Sequence, residues 1–232
     1  MKSFLTLLFF GLIGGIIGSY FFISLNMPSS ADISQTVVSV PTVSVTPSYG
    51  FWEKIISESA PSSVGIQVFQ SNRLVKQGSG IIVSSDGLIA TVGDLAVSNA
   101  VYQIFYEDKI LRGKIAAVDY GLNLALIKTE NLYSNVADLS SKDYRSGQEV
   151  ILIGNIPDIS RSASFSQKGM ISYVAQKSII IDTLATNNLV GAGVVNSDGD
   201  FIGLTYLRNG KANMIQGAVV GEFFKVYINK IK

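Results

Sequence analysis

Histidine and cysteine are both absent from the 232 residues, and these two absences remove most side-chain chemistry available near neutral pH. Without imidazole there is no neutral-pH general base, no pH switch and no nitrogen ligand for a metal. Without thiols there is no thiolate nucleophile, no disulfide and no zinc–thiolate centre. Serine remains, but its hydroxyl is too weakly acidic to attack an amide unless a base takes the proton. A Ser–Lys pair built on Ser84, Ser85 or Ser197 is conceivable, yet all three stand next to Asp-Gly in predicted hairpin turns, where serine serves the turn itself. Asp94, Asp119 and Asp182 lack the helical or loop spacing of hard-cation ligands, and a local hydrogen bond is the expected task of Asp182. Neither a metal nor a cofactor is expected.

The elements that must position these residues are short. After Pro61 the chain is a succession of β-type runs broken by turn residues: VGIQVFQ, KQGSGIIV, LIATV, YQIFYE, ILRGKIAAV, LALIK, EVILIG, a stretch through GMISYVA, SIIID, GVVN, FIGLTYL and ANMIQGAVV. This spacing predicts an all-β sandwich or a pair of barrels. Asp86-Gly87 and Asp198-Gly199 each fall between apolar runs, as tight hairpins require, and their likeness suggests two related halves. Ahead of the strands, Trp52, Ile55 and Ile56 predict a short helix that stops at Pro61. A closing amphipathic helix is expected over 221–232, with Phe224, Tyr227, Ile228 and Ile231 on one face.

The N-terminus has a different character. Residues 4–25 form an uncharged run of 22, which as a helix reaches about 33 Å, enough for a hydrocarbon core of roughly 30 Å. Lys2 ahead of it keeps the N-terminus cytoplasmic and places the remainder outside. A cleaved signal peptide would carry a shorter apolar region of about 7–15 residues and a better site than Ser29-Ser30-Ala31, so an uncleaved single-pass anchor over 1–25 is expected. Residues 26–49, with three prolines and one charge, read as an extended linker that holds the domain of 50–232 off the membrane. Overall composition is 47% hydrophobic and 15% charged, and Lys+Arg 18 against Asp+Glu 17 leaves +1. That balance carries no footprint for nucleic acid.

Taken in order, GSGIIVSSDGLIAT, AVDYGLNLALIKT, EVILIGN, KGMISYVA, IIIDTLATNNLVGAGVVNSDGDFIGL and the closing helix resemble the protease domain of the HtrA/Deg serine proteases, from about Phe51 to Lys232. The resemblance implies two six-stranded antiparallel β-barrels of the chymotrypsin type followed by a C-terminal helix. It also implies a serine endopeptidase mechanism, in which an imidazole deprotonates a serine and a carboxylate holds the imidazole. The chain ends with the helix, so the expected member is one without the PDZ peptide-binding domain usual in the family.

The same resemblance locates three departures. Where the family has its histidine, in a T-N-x-H-V-like segment, this chain has Asp94. Where the family has its aspartate, in a D-x-x-x-D-L-A-x-L-K-like segment, it has Asn123. Counting eight residues from Asp182 to the family's nucleophile arrives at Val190, and the backbone N–H groups of Asn188 and Val190 stand where the oxyanion hole is expected. Asn188 replaces a family glycine, so the cleft is open to two readings, a surviving peptide site or a vestige. Tyr49, Phe51 and Trp52 resemble in placement the aromatic residues that help the family trimerise; covering a barrel end is the preferred reading.

These observations predict a membrane-anchored, extracytoplasmic pseudoprotease, in the periplasm or at the cell surface, that binds peptides or proteins as a scaffold or regulator. A homo-oligomer or association with active relatives is compatible with it. The alternative is an active serine endopeptidase of extracytoplasmic protein quality control, with a site the motifs do not reveal.

Overall fold

The computed structural model describes residues 49–130, 132, 135–139, 144–158, 162–175 and 178–231. The expected membrane span, the linker up to residue 48 and the side chain of Tyr49 lie outside the described residues. Among the described residues no helix is long and apolar enough to cross a membrane.

The helix α1 (Tyr49–Ser59) ends in a 3-10 turn that carries Pro61, and the strands follow. Six of them, β1 (Ser63–Gln70), β2 (Arg73–Ser84), β3 (Leu88–Val92), β4 (Val101–Tyr106), β5 (Lys109–Asp119) and β6 (Leu124–Thr129), close a barrel in the order β1-β2-β3-β6-β5-β4. The next six are β7 (Glu149–Pro157), β8 (Ser162–Ala175), β9 (Ser178–Asp182), β10 (Gly193–Val195), β11 (Phe201–Arg208) and β12 (Lys211–Gln216). They close a second barrel with the same relative order, β7-β8-β9-β12-β11-β10. Every pairing between these strands is antiparallel; an isolated bridge from Leu139 to Phe201 of β11 is parallel.

Alternation decides what fills each barrel. Ile66, Val68, Ile104 and Ile127 point into the first, whereas Val150, Leu152, Ile171 and Ile202 point into the second. The intervening residues of β7, Ile151 and Ile153, join the first barrel's cluster together with Val195, Leu204 and Ile215. The VILI stretch of β7 is thus apolar without a break because both of its faces are covered. The apolar seam is supplemented by a buried polar clamp: Asn155 on β7 donates its Nδ2 to Ser63 Oγ at 3.1 Å and its main-chain N–H to Ser79 Oγ at 3.0 Å. Both serines are buried, so these polar groups have partners where water could not serve.

Two expectations change. The terminal helix α2 (Gly217–Ile231) starts four residues earlier than the pattern predicts. Val219 and Val220 continue the apolar run of β12, but Gln216 is the last residue with a strand partner, opposite Gly203. Val220 is fully buried as the helix's docking residue. The two Asp-Gly hairpins both form, yet they do not occupy matching places in the two barrels. The first joins β2 to β3 and the second joins β10 to β11, whereas the repeated strand order matches β2–β3 with β8–β9. The halves repeat in topology, and the short sequence likeness does not mark that repeat.

Of the three turn serines, Ser84 is occupied as turn chemistry requires. Ser84 Oγ donates to Asp86 Oδ1 and accepts Leu88 N–H at 3.1 Å. Lys128, whose amine is engaged in the same turn, donates to Asp86 Oδ2 at 2.6 Å. That bond from Lys128, with the one from Ser84, holds the Asp86 carboxyl below its usual range. A carboxyl depressed in the folded state stabilises above its unfolded value of about 4, and the gain is lost as pH falls through the folded value. Both side chains are exposed, so Lys128→Met should cost no more than about 0.5 kcal/mol at pH 7 and nothing measurable near pH 2, by urea unfolding.

Candidate functional site

Asp94 stands in the 3-10 turn Gly93–Leu95 directly after β3, and Asn123 immediately precedes β6. β3 and β6 pair through Val92 and Leu124, so residues 29 apart in sequence meet at one end of the first barrel. Asn123 has φ +54, a left-handed conformation that asparagine tolerates better than most residues. Its side chain then reaches Asp94 twice: Oδ1 accepts the Asp94 main-chain N–H at 2.9 Å, and Nδ2 donates to Asp94 Oδ2 at 3.1 Å. The Asn123 carbonyl accepts Gly93 N–H at 2.8 Å. An acid at each position would place two carboxylates together; the amide turns that repulsion into a hydrogen bond. Lys76 donates its Nζ to the Asp94 main-chain carbonyl from the neighbouring β2.

Val190 comes from the second barrel. The turn Asn187–Leu189 inserts Leu189, fully buried, into that barrel's core, and Val190 follows half-buried. Its carbonyl accepts Ser79 N–H at 2.8 Å across the barrel seam. Its own N–H donates to Asn187 O at 3.2 Å, so this expected oxyanion donor is spent inside the turn. Asn188 is exposed in the same turn. Ser79 is the hub that sequence reasoning missed: its main chain binds Val190, its carbonyl accepts Thr91 Oγ1 at 2.7 Å, and its hydroxyl engages Asn155. All but the hydroxyl contact use backbone groups, which leave no trace in residue type.

Between the barrels lies a cleft of about 700 Å³ lined by Asp94, Tyr120, Asn123, Leu207, Arg208 and Gln216 among others; Val190 and Asn188 are outside that lining. One wall is β11. Thr205 exchanges hydrogen bonds with the segment ahead of β10, its N–H donating to Ala192 O at 2.8 Å and its carbonyl accepting Gly191 N–H at 2.9 Å. Two residues on, Leu207 presents its N–H and C=O on the same side, past the last β10 pairing at Leu204. Among the described residues no strand covers that short edge.

The other expected residues are apart from this site or local. Asp119 Oδ1 accepts Leu122 N–H at 3.0 Å and shapes the loop leading to Asn123. Asp182, exposed at the end of β9, makes no side-chain hydrogen bond among the described residues, so its expected local bond is not found there. Ser197 is exposed in the β10–β11 turn, where Asn196 Oδ1 accepts the N–H groups of Asp198 and Asp200 at 2.9 and 3.0 Å. Of the aromatic residues on α1, Trp52 packs on the barrels beside buried Ile55 and has Lys168 Nζ 5.9 Å from its ring centroid. Phe51, set edge-on to Trp52 at 5.3 Å, stays 48% exposed, so of the two it is Trp52 that packs against the core.

Comparison with known proteins agrees with this architecture. The description "Trypsin-like peptidase domain" matches residues 78–204. The chain is 30% identical over 179 residues to a "Serine protease HTR4" of Rattus norvegicus, an alignment covering 69% of this chain and 36% of that protein. It is 28% identical over 149 residues to the "Serine endoprotease DegS" of Haemophilus influenzae, covering 58% and 42% respectively. The chain therefore spans less than half the length of these curated relatives. In three dimensions it is similar to the crystal structure of Deg5, with a TM-score of 0.68 at 20% identity, over 76% of this chain and 93% of that one. Two antiparallel six-stranded barrels and a C-terminal helix, with the matched segment running from β2 to β11, make this chain a member of the trypsin-like peptidase family, of the HtrA type.

Proposed function

We propose that this chain is a membrane-anchored, non-catalytic member of its family, whose β domain stands outside the membrane as a peptide- or protein-binding scaffold or regulator. The observation that carries the reading is the reciprocal Asp94–Asn123 contact in a chain without histidine. A triad needs a base that accepts a proton near neutral pH and a nucleophile that gives one. The Asn123 amide donates to Asp94 and does not titrate, and the Val190 isopropyl group has no proton to give. Peptide binding survives this loss because it uses main-chain groups. The uncovered Leu207 edge lies along the cleft, and an extended segment would add to it as a strand.

The test uses the full chain in detergent. Incubated with casein and, separately, with an active-serine phosphonate probe, it should yield no fragments and no labelled serine. Cleavage that disappears on replacing one particular serine would overturn the proposal and establish a serine endopeptidase of extracytoplasmic quality control. A regulatory role within an oligomer of active relatives predicts co-purification with a working protease that is lost on replacing Phe51 and Trp52.

A further inference from the structure

The cleft is not electrically neutral along its length. Asp94 is exposed, and its carboxylate keeps Oδ1 free while Oδ2 accepts the Asn123 amide. Among the described residues it has no ion-pair partner: the nearby Lys76 ammonium lies on the main-chain carbonyl and outside the cleft lining. Tyr120 lines the same cleft with 71% of its surface exposed, a large aromatic face that no packing demand explains. A carboxylate with a free oxygen and an exposed phenol ring lining one cleft offer a cation both an ion-pair partner and a π face. Arg208 lines the cleft from the end of β11 and also has no ion-pair partner among the described residues, so an anionic group is favoured at that place.

We propose that the cleft selects extended polypeptides carrying a lysine or arginine side chain, with Asp94 as the anionic partner of that side chain and Tyr120 as its aromatic wall. This rests on the peptide-binding reading above and adds the class of peptide. A strand laid along Leu207 passes through the cleft that Asp94 and Tyr120 share, so one of its side chains is delivered between them. The acid that replaces the expected base thereby acquires a task of its own: it fixes a charge where an imidazole would be neutral for much of the physiological range.

The test measures fluorescence anisotropy of three labelled peptides, acetyl-Val-Xaa-Val-amide with lysine, glutamine or glutamate in the centre, against the full chain in detergent. The lysine peptide should bind about tenfold more tightly than the glutamine peptide, and the advantage should shrink as salt rises. Asp94→Asn, which can keep its hydrogen bond with Asn123, should abolish that ratio by bringing the lysine peptide's affinity down to that of the glutamine peptide. Asp94→Lys should turn the preference toward glutamate. Equal binding of lysine and glutamine peptides, or a ratio that survives Asp94→Asn, overturns the inference alone and leaves peptide binding intact. Failure of all three peptides to bind overturns it together with the peptide-binding reading.

Discussion

Gly191→Ala is expected to lower the stability of the barrel domain by at least ~4 kcal/mol, which for a domain of this size is a drop of about 8–16 °C in Tm. Gly191 has φ +77, and a Cβ built there overlaps the Ser79 carbonyl oxygen and comes 2.7 Å from Thr91 Oγ1. Neither neighbour is free to withdraw. The Ser79 carbonyl accepts Thr91 Oγ1, its N–H donates to Val190 O, and Gly191 N–H is itself bound to Thr205 O at 2.9 Å. Displacing any one of them opens the seam between the barrels. Gly210→Ala is the control, since Gly210 has φ +70 but nothing within 4 Å of its Cβ position. It should cost only the left-handed strain, about 1–2 kcal/mol. Urea unfolding of the two variants separates conformation from overlap. Equal losses would mean that the seam at Ser79 yields easily, and would count against a rigidly held Val190 turn.

The barrels were legible because every strand is a short β-type run bounded by turn residues, and that punctuation survives in the sequence. β7 was legible for a further reason, as Ile151 and Ile153 cover the seam while Val150 and Leu152 fill the second barrel. The start of α2 was not legible. Ala218, Val219 and Val220 suit a strand locally, and only the end of pairing at Gln216 turns them into a helix. The hairpin likeness misled because Asp-Gly answers a turn's local demand wherever a turn occurs. At the site, no periodicity joins Asp94 to Asn123. Their pairing was accessible only through the family resemblance, and the donor and acceptor roles in the contact required coordinates. Ser79 and Leu207 act largely through the backbone, and Tyr120 resembles any loop aromatic until the cleft places it opposite β11. Function is therefore less legible than fold here because the groups that shape the cleft are mostly not identified by side-chain type.

Asn123→Asp should invert the electrostatics of the site and give it a new pH-dependent contribution to the domain's stability. The parent amide donates Nδ2 to Asp94 Oδ2 at 3.1 Å while Oδ1 accepts the Asp94 N–H. A carboxylate can keep the second bond, but it faces the Asp94 carboxylate with an oxygen in place of the donor. Losing the hydrogen bond costs about 1 kcal/mol, and repulsion at this separation in a partly solvated site adds about another 1–2 kcal/mol. The sign with pH follows from proton uptake. Two facing carboxyls hold one shared proton more tightly when folded than when unfolded, so the deficit is small below the unfolded value of about 4 and grows as pH rises through the folded value. Urea unfolding should therefore show a loss of about 2–3 kcal/mol at pH 7 that narrows to under ~1 kcal/mol near pH 4. Adding Asp94→Asn to the variant exchanges amide and carboxylate between the two positions, and most of the loss at pH 7 should return. A deficit that is constant with pH, or that the exchange does not repair, would mean that the Asp94 carboxylate does not face residue 123. The contact on which the non-catalytic reading rests would then be absent.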